Sequence, residues 1–114
     1  MVGFIEVDGQ VVFLFGEVKT SSETANRPPQ VMTNNEGMEN QLKDLYNNHN
    51  KRRVLISYLR NKAKLQPEGD SFKDDLEAGI QSYYSSTGNY QLIGVLVRDV
   101  EPDEADLQVS YARL

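Results

Sequence analysis

"QVVFLFGEVKT", residues 10–20, decides how this chain is read. Val11 to Phe15 is an unbroken run of β-branched, aromatic and aliphatic residues, apolar on both faces of a strand. That is the signature of a central strand covered on each side. The run then gives way to Glu17 and Lys19, with Val18 between them. Side chains alternate along a strand, so Glu17 and Lys19 share one face and Val18 points to the other. Upstream, "VGFIEV" (2–7) is joined to this strand by Asp8-Gly9, a pair that tolerates positive φ and predicts a hairpin. Pairing about that turn sets partner numbers to a sum of about 18, with Val7 facing Val11, Glu6 facing Val12 and Glu17 facing Met1.

The chain has 114 residues, enough for one small domain with one core. It has no cysteine, which excludes disulfides, thiolate metal sites and cysteine nucleophiles. That composition fits a reducing compartment, and with no apolar stretch of membrane-spanning length and no signal-like N-terminus, the cytoplasm is the expected location. The net charge of −5 argues against binding nucleic acid through bulk charge. A local basic face is compatible with it. Lys51, Arg52, Arg53, Arg60, Lys62 and Lys64 cluster in the middle, whereas Asp99, Glu101, Asp103, Glu104 and Asp106 make the C-terminal third acidic.

Beyond the hairpin, Pro28-Pro29 marks a loop. Thr33-x-x-Glu36 resembles a capping box and opens a helix to about Asn47, with Met38, Leu42, Leu45 and Tyr46 on one face. A second helix spans 51–65. Its stripe is Val54, Leu55, Tyr58, Leu59 and Leu65, opposite Arg52, Arg53, Arg60 and Lys64. A third begins near Ser71, with a cap-like Ser71-x-x-Asp74, and carries Phe72, Leu76, Gly79, Ile80, Tyr83 and Tyr84 at helical spacing. "YQLIGVLVRDV" (90–100) reads as a buried strand, 101–106 as a loop or a short turn with Asp103, Glu104 and Asp106 solvated, and "LQVSYARL" (107–114) as a half-buried strand. The order is β-β-α-α-α-β-β: an α/β chain with a mixed sheet flanked by helices.

Two readings of Glu17-x-Lys19 stand side by side. In one, the strand emerges into solvent and its last polar residues form a loose pair. In the other, the tripeptide is chemical. Its setting, at the end of the second hairpin strand and ahead of an amphipathic helix, resembles the core of the PD-(D/E)XK nuclease superfamily, the restriction-endonuclease-like fold. The resemblance covers roughly residues 2–46, with a looser match at 90–98.

It implies a Mg²⁺- or Mn²⁺-dependent nuclease acting on DNA. Glu17 would be a metal ligand, the Val18 backbone carbonyl a second, and Lys19 the catalytic lysine; Gln41 would face the site from the following helix, or else lie at the margin of its stripe. Thr20 and Ser21 would hydrogen-bond a phosphate, or cap the strand end. Arg52 and Arg53 would track a nucleic-acid backbone, or form a solvated face. His49, in the polar loop "NNHN", has no second ligand nearby. Arg98-Asp99 reads as a local ion pair or the border of a site.

The superfamily also has a metal-binding Asp at the opening of the first strand and a helix before it. Asp8 and Glu6 lie roughly 15 Å or more from Glu17 along the hairpin, too far to share an ion. The expectation is therefore a fragment lacking that helix and that Asp. Without the helix, Phe13 and Phe15, or their neighbours, should be partly bare, and a homodimer or larger assembly should form through that face. The alternative is a non-catalytic binding or scaffolding domain with the nuclease fold.

Overall fold

The computed structural model describes residues 1–85 and 88–108. Strands β1 (Val2–Val7) and β2 (Gln10–Ser21) are followed by helices α1 (Gln30–Thr33), α2 (Met38–Asn47), α3 (His49–Ala63) and α4 (Ser71–Tyr83). Strand β3 (Tyr90–Arg98) and a 3₁₀ turn (Glu104–Leu107) complete the order. The protein is thus mixed α/β with a three-stranded mixed sheet, in the order β1-β2-β3. The element order departs from the expected one: among the described residues there are four α-helices, and Leu107 ends a 3₁₀ turn instead of opening a strand. The remainder of the expected last strand, 109–114, lies outside the described residues.

Asp8 (φ 51°) and Gly9 (φ 79°) form a two-residue turn with both centres in the left-handed region, where glycine carries no Cβ penalty. Val7 pairs with Gln10 and Val2 with Phe15, so the register sum is one less than expected. Glu6 faces Val11, and β1 ends before it reaches the level of Glu17. Because β1 and β2 are antiparallel and the sheet is mixed, β3 runs parallel to β2, joined by the helical crossover.

Chain contacts gather into two compact units. The first comprises 1–15 and 48–92, the second 16–47 and 93–114. In the first, α3 and α4 pack on each other and on β1. Phe4, Phe13, Phe15, Phe72, Tyr83 and Tyr90 form a ring cluster with centroid separations of 5.5–6.1 Å. Gly79 lets α4 approach this cluster: a Cβ there would stand 3.1 Å from the Phe13 ring. Ser82 Oγ donates to the Val11 carbonyl at 3.0 Å and ties α4 to β2.

Phe13 and Phe15 are fully buried, not partly bare, because α4 and its rings cover them. The exposed apolar strand residues are others: Ile5, Val18, Ile93 and Val97. Strand β3 is accordingly half-exposed instead of fully buried.

Helix α3 also turns differently from the expected stripe. Arg52, Ile56, Leu59 and Ala63 face inward, while Val54, Tyr58 and Leu65 are exposed. Ile56, Leu59 and Ala63 follow helical spacing, and the fourth position is usable by Arg52 because aromatic groups receive it. Its Nε donates to Tyr83 Oη at 2.9 Å, and its guanidinium lies 4.8 Å from the Tyr90 ring centre. Asn48 caps α3 by accepting from the Lys51 amide, and Asp70, not Ser71, caps α4.

In the second unit, α1 packs on α2, burying Met32, Met38, Leu42 and Leu45. Pro29 supplies the N-cap of α1. Thr33 closes α1 instead of capping the next helix, so α2 starts only at Met38.

Candidate functional site

Glu17, Val18, Lys19, Thr20, Ser21 and Gln41 all belong to the second unit. Glu17 and Lys19 lie near the C-terminal end of β2, past its pairing with β1. Both are half-buried, with side-chain exposures of 28% and 24%. Lys19 Nζ stands 3.9 Å from Glu17 Oε1, close enough for charge attraction and too far for a hydrogen bond. Among the described residues neither side chain has another hydrogen bond or ion pair. The site therefore offers a carboxylate and an ammonium paired, among the described residues, only with each other.

The backbone just beyond Lys19 is held tightly. Arg98, at the end of β3, donates from Nη1 to the Ser21 carbonyl at 3.0 Å and from Nη2 to the Glu23 carbonyl. Ser22 Oγ donates to Asp99 at 2.7 Å. The carboxyl ends of the two parallel strands are thereby latched together, the part of an open α/β sheet where ligands usually bind. Arg98 is anchored in turn by Asp106: Nε lies 3.3 Å from Oδ2, off the line of a good hydrogen bond, and both side chains are only 3% exposed. Arg27 Nη1 reaches both oxygens of Asp106 at 3.0 Å, and its Nη2 donates to the Glu101 carbonyl. Asp103 and Asp106 close a capping box on the 3₁₀ turn.

Two sequence readings are corrected by this clasp. The acidic segment is not merely solvated, since Asp106 is buried to neutralise two guanidiniums. Nor do Arg98 and Asp99 pair with each other: Arg98 takes Asp106 and Asp99 takes Ser22.

Glu23 braces the same loop. It accepts from the Asn26 side chain and from the Gln30 amide at the start of α1. Those two hydrogen bonds, the Asn26 bond foremost, hold its carboxyl below the usual 4.5, with Arg98 adding attraction. Ser21 Oγ accepts from the Glu23 amide at 3.1 Å, the loop-opening role, while Thr20 is exposed. Gln41 is half-buried in the first half of α2.

Arg52 and Arg53 belong to the other unit. Arg52 is buried against Tyr83 and Tyr90 and is not presented to a nucleic-acid backbone; Arg53 is exposed. His49 is the first residue of α3 and not part of a loop; its Nδ1 lies 3.0 Å from Tyr83 Oη, with the two rings stacked parallel. Sequence reasoning missed both groupings because their partners are far along the chain. A recess of about 470 Å³ in that unit is lined by Gly9, Gln10, Val11, Gln81, Ser82 and Asn89, among others, and holds none of the candidate site residues.

Glu17 and the Val18 carbonyl are hard oxygen donors of the kind Mg²⁺ takes, and Mg²⁺ usually keeps water and substrate oxygens in its remaining positions. They fit such an ion in part: among the described residues, no three His, Cys, Asp or Glu side chains gather to hold one. Also among these residues, no helix is long and apolar enough to cross a membrane. Comparison with protein-family models, with curated proteins and with solved structures finds no match to this chain.

Proposed function

We propose that this chain carries part of a PD-(D/E)XK-type centre that hydrolyses phosphodiester bonds of DNA with Mg²⁺ or Mn²⁺. The carrying observation is the uncommitted Glu17–Lys19 pair, half-buried at the latched carboxyl ends of β2 and β3. An antiparallel hairpin, a helical crossover and a strand parallel to the second hairpin strand are consistent with a restriction-endonuclease-like core.

Glu17 and the Val18 carbonyl would hold the ion. When bound, the ion polarises a phosphate and lowers the pKa of a water. Lys19 offsets the charge of the phosphate and orients the attacking water, which a compact ammonium on a flexible stem can do. Gln41 helps position that water from α2. The Arg98 latch fixes the backbone on which Lys19 sits, so the ammonium need not be ordered anew with each substrate.

The test is cleavage of single- and double-stranded DNA in Mg²⁺ or Mn²⁺. Lys19→Ala and Glu17→Gln should each lower the rate by at least about 100-fold. Both should unfold within about 0.5 kcal/mol of the unaltered protein, since a half-exposed pair at this spacing contributes little to stability. Equal cleavage rates would sink the assignment. The second reading, a non-catalytic module with this fold, is favoured by the absence, among the described residues, of any group of three or more His, Cys, Asp or Glu side chains that could hold a metal ion. Calorimetric titration separates the two: Mg²⁺ or Mn²⁺ binding that disappears in Glu17→Gln supports the nuclease.

A further inference from the structure

We propose that the outward face of α3 is a docking surface for a single-stranded nucleic-acid backbone. The helix runs HNKRRVLISYLRNKA, with Lys64 at its C-cap, and contains no Asp or Glu. Arg52 is turned inward, whereas Arg53, Arg60, Lys62 and Lys64 are exposed. Among the described residues, none of these four has an acidic partner.

A helix face that is merely solvated intersperses opposite charges at i,i+4. Helix α2 does so, with Lys43 Nζ 3.0 Å from Glu39. Helix α3 instead concentrates one sign in a chain whose net charge is −5. Such a patch attracts a polyanion.

The second observation is aromatic. Tyr58 is 52% exposed midway along the helix, Val54 one turn earlier is 68% exposed, and Lys62 Nζ lies 5.1 Å from the Tyr58 ring centre, while Arg53, Arg60 and Lys64 form a stripe about 120° or more round the helix from it. Cations interleaved with an exposed ring are what a single strand requires: phosphates meet the cations and an unpaired base stacks on the ring. A duplex hides its base faces and has no use for Tyr58. From Arg53 to Lys64 the face extends about 16 Å, enough for several nucleotides.

This inference deepens the nuclease reading by naming the form of the substrate, and rests on it only for the cleavage step after binding. The experiment is fluorescence anisotropy of the full chain with a labelled oligo-dT strand, in EDTA so that no cleavage intervenes. With four phosphate contacts, the logarithm of affinity should fall with that of salt at a slope of about −3. Arg53→Gln with Arg60→Gln should reduce the slope by about 1.4. Tyr58→Ala should weaken binding roughly tenfold without changing the slope, and Tyr58→Phe should restore it. Lys43→Gln on α2 should change neither.

A duplex of equal length that binds as tightly, with Tyr58→Ala silent, would overturn the single-strand assignment. So would an unchanged slope in the double variant. Absence of DNA binding with sedimentation on vesicles of anionic lipid would replace nucleic acid with a membrane surface. Cleavage that survives loss of this binding leaves the nuclease reading intact; binding without cleavage leaves this one.

Discussion

One compact unit is held by rings and the other by guanidiniums. In the first, six aromatic side chains interlock and even the buried Arg52 is received by tyrosines. In the second, the helices share a modest Met and Leu core, and an Arg27–Asp106–Arg98 cluster, with Asp106 and Arg98 buried and Arg27 partly exposed, secures the loop after Lys19. Each unit should therefore fail in its own way. Ring packing is non-directional, so damage scales with the volume lost. A charge cluster is directional, so damage depends on which partner is left alone. That suits the places: a scaffold tolerates graded loss, whereas a site needs its backbone in one position.

The largest effect should come from emptying the ring cluster. Phe13→Ala removes a fully buried side chain at its centre and should cost about 3–5 kcal/mol in urea unfolding. A cost under about 1 kcal/mol would show that the rings are not the main support of their unit.

Next, Asp106→Asn leaves Arg98 and Arg27 facing a neutral amide. It should cost about 3 kcal/mol, near the lower end for breaking a buried pair because Arg27 keeps some exposure to water. Replacing Arg98 by Met and Asp106 by Leu together should recover much of that loss. If the double variant is as unstable as the sum of the single ones, the cluster acts by volume like the rings, and the contrast disappears.

The smallest effect concerns Glu23. Its folded pKa lies below 4.5, so its contribution is complete above about pH 4.5 and is lost as pH falls through the folded value. Glu23→Gln should therefore flatten stability against pH on the acid side and leave it unchanged in shape near neutrality. Superimposable acid limbs in the two proteins would remove Glu23 from the loop's support.

The parts legible in sequence were the local ones. Asp8-Gly9 announces the turn through its φ requirement, and spacing alone puts Glu17 and Lys19 on one face. The rest needed distant partners. Arg52 reads as a surface cation until Tyr83, 31 residues on, accepts its Nε. Asp106 reads as solvated until Arg27, 79 residues away, reaches it. In α3, counting Val54 and Tyr58 into the stripe and omitting Ile56 rotated the helix, because apolar character does not by itself say which side is buried. What lies opposite Glu17 was not legible either, since one residue of register decides it.

The 3.1 Å gap between the Phe13 ring and a would-be Cβ at Gly79 has a historical consequence. A lineage that acquires a side chain at 79 needs the ring at 13 to give way by a few tenths of an ångström, or to become smaller. Among descendants of this sequence, change at 79 should therefore be coupled to change at 13, 66 places away by their numbers, and a helix-weakening glycine in mid-α4 is favoured by a ring on another element that crowds any replacement.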